Sequence, residues 1–184
     1  RLGRNAKAEG TPTIERTATG EFVRLDGNDQ AFLIGRDRED LGGLLPKRNL
    51  TLSAWVAIDT PQRWGGILGY VQDNGDAEAG FVLGYDEERF TFGLAGQGAV
   101  DAGDADGSMT YLRGATRYQL GKVYFVVATY DGAEMRLYIN GKLVGSSADA
   151  EVERDKTKLR KMLPCKHVFL APERSWRGQV SELR

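Results

Sequence analysis

The stretch Lys122–Ser146, KVYFVVATYDGAEMRLYINGKLVGS, restricts the fold more than any other part of the chain. It opens with residues that are nearly all β-branched or aromatic, which favours a strand. The Asp-Gly pair at 131–132 supplies residues that tolerate positive φ and predicts a tight connection. Apolar and more polar residues then alternate over 135–140 with the period of a half-buried strand. The Asn-Gly pair at 140–141 predicts a two-residue type I′ turn and a returning strand, so the stretch is expected to form an antiparallel meander.

The meander and several other stretches share the pattern of one known family. ATYDGAEMRLYINGKLVGSS resembles laminin-G-like jelly-roll domains, in which an A-x-Y-D-G segment precedes a hydrophobic strand, a [DN]-G turn and a lysine. The other stretches follow in that family's order: FVRLDGNDQAFLI, LTLSAWVAID, GGILGY, GFVLGYDEERFTFGLAG and HVFLAPERSWRGQVSELR. The resemblance spans residues 21–184 and implies the concanavalin-A-like lectin/glucanase superfamily. We therefore expect an all-β fold, a two-sheet antiparallel jelly-roll sandwich.

Composition and charge narrow the classes of partner. A chain of 184 residues is long enough for one domain with a substantial core. Its 25 basic and 26 acidic residues are nearly balanced, so the sequence carries no excess of positive charge of the kind that binds nucleic acid or anionic membranes. It also contains no run of about 18 apolar residues that would insert into a membrane. Neither nucleic acid nor membrane insertion is expected.

The chain divides into a short lead-in and one domain. Residues 1–20 are polar and without periodicity, which predicts a linker or an irregular lead-in, and residues 21–184 form the predicted sandwich. The first two strands are expected to pair as a hairpin around the turn at 26–29, and two short strands are expected at 109–112 and 118–120. The charged stretch Glu151–Lys161 is interpreted as a one- or two-turn helix or as a solvated insertion.

The termini suggest that the sequence belongs to a longer protein. It begins with Arg1 rather than methionine, and its last residues, SELR, stop where the family's closing strand would continue. We interpret it as a segment of a longer chain, with neighbouring domains among its partners. The resemblance further implies an extracellular, periplasmic or cell-surface location.

The sequence lacks the motifs of the common hydrolytic mechanisms. It has no G-x-S-x-G elbow, H-E-x-x-H helix, C-x-x-C pair or phosphate loop ending in G-K-[ST]. Retaining glucanases of the implied fold carry two carboxylates about 5 Å apart on an E-x-D-x-x-E strand. No such run occurs, and the acidic groups at 86–88 and 151–153 lie in turn or loop sequence. No catalytic residue is assigned, and the domain is not expected to be an enzyme.

A weak structural calcium site is the one cofactor that the resemblance suggests. Domains of the family often bind calcium through an aspartate of the closing strand and groups near the first strand. Ser181 stands at that position here, which leaves Asp26 and Glu182 as oxygen donors and implies a weak site. Asp73, Asn74 and Asp76 form another cluster of oxygen ligands in a loop, and a third acidic loop lies at 101–106.

The candidate ligand-binding residues are Trp64, Asp73, Asn74 and Asp76. Trp64 lies in a glycine-flanked loop, where an exposed ring would stack on the C–H face of a sugar; the alternative is that it packs on the edge of the sandwich. Trp55 and Trp176 are interpreted as packing residues. The expected function is a non-catalytic accessory module that recognises carbohydrate or protein. A structural spacer or interaction domain is the alternative, and a glycoside-active enzyme is a weaker one.

Overall fold

The computed structural model describes residues 6–17, 20–27, 30–34, 46, 48–73, 78–95, 109–148 and 177–183. This part of the chain contains thirteen strands and no helix. No helix among these residues is therefore long and apolar enough to cross a membrane. The strands are β1 Lys7–Glu9, β2 Thr13–Thr17, β3 Gly20–Asp26, β4 Ala31–Leu33, β5 Leu50–Ile58, β6 Gly65–Asp73, β7 Glu78–Tyr85, β8 Arg89–Ala95, β9 Met109–Arg117, β10 Val123–Tyr130, β11 Met135–Ile139, β12 Lys142–Ser146 and β13 Arg177–Leu183.

The strands form two large antiparallel sheets and one small one. The seven-stranded sheet has the order β12-β11-β10-β5-β13-β3-β2, the four-stranded sheet has the order β6-β7-β8-β9, and β1 pairs with β4. The large sheets pack face to face, since a Cβ on Gly145 of β12 would lie 3.3 Å from Cδ1 of Leu112 on β9. One hydrophobic core lies between them and draws side chains from both sheets. The expected all-β sandwich is confirmed.

The central meander has the predicted turns. Tyr130 pairs with Met135 and Ile139 pairs with Lys142, so two residues connect β11 to β12. Asn140 and Gly141 have φ values of 50° and 79°, as a type I′ turn requires.

The first connection of the meander differs in detail from the prediction. Gly132 has a φ of 95°, whereas Asp131 does not have positive φ. Asp131 instead stabilises the turn through Oδ1, which accepts hydrogen bonds from the amides of Ala133 at 3.0 Å and Glu134 at 2.9 Å. The aspartate is therefore required for its side chain and the glycine for its backbone conformation.

Strand β5 lies at the centre of the seven-stranded sheet. Leu50, Leu52, Ala54 and Val56 face the core, as the alternation predicts. Trp55 points outward with 41% of its surface exposed, and its ring packs against that of Phe125, the residue opposite it on β10, at 5.0 Å. Trp55 is thus a packing residue of the outer surface rather than of the core.

The prediction of an irregular lead-in is wrong for the described residues before Gly20. Both β1 and β2 form there, and β2 pairs with β3 at the edge of the seven-stranded sheet. Arg24 of β3 binds Glu15 of β2 at 2.5 Å and also contacts Asp59 beyond β5. An edge strand exposes much of its surface, and Ile14 remains 64% exposed. Because such a strand need not bury one whole face, its sequence lacks the apolar alternation by which a strand is recognised.

The predicted hairpin between β3 and β4 is also wrong. Both sides of β3 are occupied, by β2 on one and by the closing strand β13 on the other. Strand β4 pairs with β1 instead. The closing strand comes from the far end of the sequence, so local turn signals did not reveal this competition for β3.

Strand β9 is one continuous strand rather than two short ones. Its second half stays in the sheet because Arg113 pairs with Thr91 and Arg117 with Arg89 on β8. Tyr118 follows the strand and turns inward, where its hydroxyl donates to the carbonyl oxygen of Asp86 at 2.6 Å. The predicted helix at 151–161 and the acidic loop at 101–106 lie outside the described residues, as does Trp176.

Candidate functional site

On the outer face of the four-stranded sheet, β8 carries small side chains, and Ala95 is buried there with Val82 and Met109 under Tyr111. Along β8, Phe90, Phe92 and Leu94 point into the core between the sheets. The residues between them, Thr91, Gly93 and Ala95, therefore point to the outer face, because side chains alternate along a strand. Such a floor leaves room for larger groups from neighbouring segments to lie directly on the sheet.

Two aromatic rings occupy this floor. Tyr111 of β9 lies over Gly93, where an added Cβ would come within 2.7 Å of its ring. Trp64, from the segment before β6, meets Tyr111 with 5.6 Å between ring centroids and 47° between the ring planes. Trp64 is 47% exposed. The pair therefore presents an aromatic face to solvent that is fixed from beneath by the sheet.

Glycines position the segment that carries Trp64. Gly65 follows it and pairs with Tyr85 on β7, with a register shift between Gly66 and Leu68. A Cβ on Gly84 would overlap the carbonyl oxygen of Gly65, and a Cβ on Gly65 would overlap the ring of Tyr85. Glycine is required at 84 for the close approach of the two backbones and at 65 to make room for the Tyr85 ring, and these contacts position the segment that carries Trp64.

An ion-pair cluster stands next to the rings. Arg113 lies two positions after Tyr111 on β9 and therefore on the same face. Its Nε donates to Oδ2 of Asp86 at 2.5 Å, and its Nη2 lies 3.7 Å from Glu88. Arg117 Nη1 contacts the other oxygen of Glu88 at 3.1 Å. We call Trp64, Tyr111 and Arg113 the aromatic surface, and Asp86, Glu88 and Arg117 its charged rim.

Asp86 is held in its ionised form. Burial by itself would raise the pKa of this carboxyl, but the Arg113 guanidinium and the amides of Glu88 and Arg89 outweigh it and lower the pKa below its ordinary value. Both amides donate to Oδ1 at 2.8 Å. The turn between β7 and β8 therefore fixes the carboxylate that in turn orients Arg113.

These groups suit binding by stacking and hydrogen bonding. An indole and a phenol ring offer apolar faces, a guanidinium offers donors, and the carboxylates offer acceptors. Among the described residues, no three His, Cys, Asp or Glu side chains lie close enough together to bind a metal ion.

Comparison with known families identifies the fold. Residues 26–184 match the family model Laminin_G_3, described as the concanavalin A-like lectin/glucanases superfamily. The chain belongs to that superfamily. No curated protein sequence matches it.

Solved structures share this concanavalin A-like fold at low sequence identity. Domain 4 of AbnA, an extracellular arabinanase from Geobacillus stearothermophilus, solved with arabinotriose, is 14% identical with a TM-score of 0.50, and the match covers 95% of this chain and 78% of that one. A Trypanosoma rangeli sialidase mutant is 18% identical with a TM-score of 0.54, covering 97% of this chain and 27% of the sialidase. The binding domain of botulinum neurotoxin serotype C1 is 14% identical with a TM-score of 0.54, covering 98% and 44%. The chain thus spans only part of the sialidase and of the neurotoxin domain.

The predicted ligand-binding residues of this concanavalin A-like domain do not form one site. Trp64 precedes the first residue of β6, and Asp73 is its last residue. At about 3.3 Å per residue the two lie roughly 30 Å apart. Asn74 and Asp76 lie outside the described residues. Only Trp64 belongs to the aromatic surface. Its ring packs against Tyr111, and the residue is also partly exposed.

The two predicted metal ligands are also separated. Asp26 pairs with Arg177 at the start of β13, whereas Glu182 lies five positions further along and pairs with Trp55 of β5. That separation is roughly 17 Å along the strand, too far for one calcium ion with ligand distances of about 2.3–2.6 Å. The two residues therefore cannot share an ion, and weak calcium binding at some other set of ligands stays a prediction.

Tyr111 and Arg113 were not predicted as site residues. A signal for them does exist in the sequence, because RFTFGLA alternates large apolar residues with Thr91, Gly93 and Ala95. Such alternation in a strand indicates one face packed in the main core and another with small side chains, which residues of adjacent strands can cover, as Val82, Met109 and Tyr111 do here. Residues of the adjacent strand that share the second face are then candidates for a surface site.

Proposed function

We propose that this domain is a non-catalytic glycan-binding module and that a sugar chain binds to its aromatic surface. The observation that carries the proposal is that Trp64, which is 47% exposed, packs its indole against the ring of Tyr111. Burying a large aromatic face contributes strongly to binding, and a ring that is already ordered loses little entropy when a ligand binds. Arg113 and its carboxylate partners supply the hydrogen bonds that sugar hydroxyls need.

The superfamily leaves two classes of activity, recognition and hydrolysis. The sequence lacks the E-x-D-x-x-E run on which glucanases of this fold carry their two carboxylates. The charged rim does contain Asp86 and Glu88, but both carboxylates are engaged by arginines. This engagement supports a role in orienting Arg113 rather than in acid–base chemistry.

An extracellular accessory role follows from the same proposal. Polysaccharides that a module of this kind would meet lie largely outside cells, and one protein of the same fold is a domain of an extracellular arabinanase. We infer that the module serves neighbouring domains of a longer chain by holding them near a glycan. Its partners are then that glycan and those domains.

Affinity gel electrophoresis on a panel of soluble polysaccharides tests the glycan proposal. Trp64→Ala should reduce binding at least about tenfold, equivalent to 1.4 kcal/mol. Trp55→Ala is the matched control, because Trp55 is exposed to a similar extent, 41%, but lies on the other sheet. It should bind as the unmodified domain does. Retention by no polysaccharide would refute the proposal, and an equal loss in both variants would show that the aromatic surface is not the site.

A protein-interaction domain is the second candidate function. The outer face of the seven-stranded sheet carries three exposed apolar side chains, with Trp55 at 41%, Val123 at 39% and Leu143 at 47%. Exposed apolar groups on one face are typical of protein contact sites. A domain that binds no polysaccharide, but loses its association with the rest of its full-length protein on Trp55→Ala, would favour this candidate.

A further inference from the structure

Arg113 and Arg117, two cations beside the aromatic surface, are paired with carboxylates. Arg113 contacts Asp86 at 2.5 Å and Glu88 at 3.7 Å, and Arg117 contacts Glu88 at 3.1 Å. Two guanidinium groups thus share two carboxylates, while Arg89, opposite Arg117 on β8, donates to the carbonyl oxygen of Gly114 at 3.4 Å. A ligand that approaches Tyr111 from the side of Arg113 meets an ion-pair network rather than a positive patch.

The carboxylate closest to Arg113 cannot easily move away to admit an anion. Only 17% of the Asp86 side chain is exposed. Its second oxygen accepts two backbone amides of the turn, from Glu88 and Arg89, at 2.8 Å each. Displacing it would break these bonds as well as the ion pair, and a buried carboxylate without partners is costly. The negative charge therefore stays beside Arg113 when a ligand binds.

We propose that the aromatic surface selects uncharged sugars and discriminates against sugar acids, and that Glu88 sets this preference. The proposal rests on the glycan-binding function above. A sugar hydroxyl both donates and accepts hydrogen bonds, so it can accept from Arg113 and donate to Asp86 or Glu88. A sugar carboxylate only accepts, and it would be repelled by the two carboxylates already present.

Glu88 is the more exposed of the two carboxylates in this network. It bridges Arg113 and Arg117, and its side chain is 40% exposed. Glu88→Gln keeps the size of the side chain and removes one negative charge, so the two arginines are left with one carboxylate. The variant should accept anionic sugars that the unmodified domain rejects, because like-charge repulsion in a site acts against the wrong ligand.

Matched polysaccharide pairs provide the test. Hydroxyethyl cellulose is paired with carboxymethyl cellulose, and fully methyl-esterified galacturonan with its de-esterified form, in affinity gels at fixed low salt. Of each pair that is retained, the neutral member should bind the unmodified domain at least about tenfold more tightly. Glu88→Gln should narrow that ratio by strengthening the acidic member. Glu21→Gln, the same charge change at an exposed residue paired with Arg16 on the other sheet, should leave the ratio unchanged.

The outcomes separate this proposal from the one on which it depends. Equal or tighter binding of the acidic member by the unmodified domain would overturn the selectivity and leave glycan binding intact. A ratio that Glu88→Gln and Glu21→Gln change equally would remove Glu88 from its proposed role. Retention of neither member of any pair, or of any other polysaccharide, would overturn glycan binding and the selectivity together.

Discussion

Trp64 and Tyr111 form a ring pair, 5.6 Å between centroids, that joins the segment before β6 to β9 at the opposite edge of the same sheet. Strands β7 and β8 lie between them, so the contact runs over the outer face of the sheet. Gly84 and Gly93 carry no side chain, so the backbone of Gly65 can approach Gly84 and the ring of Tyr111 can lie over Gly93. The aromatic surface therefore depends on the absence of side chains at two glycines in the intervening strands.

Gly93→Ala should destabilise the domain by about 1–3 kcal/mol, as overpacking commonly does. The new Cβ would lie 2.7 Å from the Tyr111 ring and 2.9 Å from side-chain carbons of Met109 and Val82. Urea unfolding measures the loss. Since the tyrosine ring is the nearest group, combining the change with Tyr111→Ala should recover part of it, and a double-mutant cycle reports the coupling. Strict additivity of the two changes would show that Tyr111 does not lie on Gly93.

The parts of the fold that were predicted correctly are specified by local sequence. The type I′ turn follows from Asn140-Gly141 alone, and the buried side of β5 follows from alternation over 50–58. The pairing of β4 with β1 could not be predicted in this way. Strands of three residues are too short to show a period, and the partner of β3 on its other side, β13, is distant in sequence.

The candidate site was predicted only in part for a similar reason. Trp64 stands out in sequence because it is a tryptophan between turn residues, whereas Tyr111 is one aromatic residue among many in strands. Their contact depends on the order of four strands in a sheet. Asp73 was predicted with Asn74 and Asp76 in a loop, but it is the last residue of β6, which begins directly after Trp64. The extended strand therefore keeps Asp73 far from Trp64.

Thr110→Val should stabilise the domain by about 1 kcal/mol. Thr110 is 6% exposed and sits opposite Leu94, and its hydroxyl finds no hydrogen-bond partner in the described part of the chain. Valine has nearly the same shape and removes the cost of burying an unpaired hydroxyl. Thermal unfolding measures the gain. Thr110→Ser is the control, because it keeps the hydroxyl and deletes a buried methyl, and it should be destabilising. A loss of stability in the valine variant would mean that a bound water or another group satisfies the hydroxyl.

Gly141→Val should lower stability by about 1–2 kcal/mol, the cost of a left-handed conformation for a residue with a Cβ. The φ of Gly141 is 79°, and a Cβ there would meet nothing within 4 Å. The effect is therefore one of backbone conformation and not of a steric clash with the rest of the fold. Gly141→Asn should cost less, since asparagine tolerates this region. Equal melting temperatures for valine and glycine at this position would argue against the type I′ turn.

Tyr118 should make the domain lose stability at alkaline pH. Burial, followed by the negative charges of Asp86, Glu87 and Glu88, raises the pKa of this phenol above its ordinary value. A raised pKa in the folded state contributes stability below the unfolded value of about 10, and this stability is lost progressively as the pH rises above it. Burial also raises the pKa of Tyr130, which adds a loss of the same sign.

Tyr118→Phe separates the hydroxyl of Tyr118 from its ring. The ring lies 5.4 Å from Phe90 and 6.1 Å from Tyr85, and phenylalanine keeps these contacts. The variant loses the 2.6 Å bond to the Asp86 carbonyl and should be about 1 kcal/mol less stable at neutral pH. Between pH 10 and 12 its free energy of unfolding should fall less steeply than that of the unmodified domain, and adding Tyr130→Phe should flatten the curve further. Urea titrations at several pH values measure these slopes; parallel curves for Tyr118→Phe and the unmodified domain would mean that Tyr118 ionises equally well in the folded and unfolded chains.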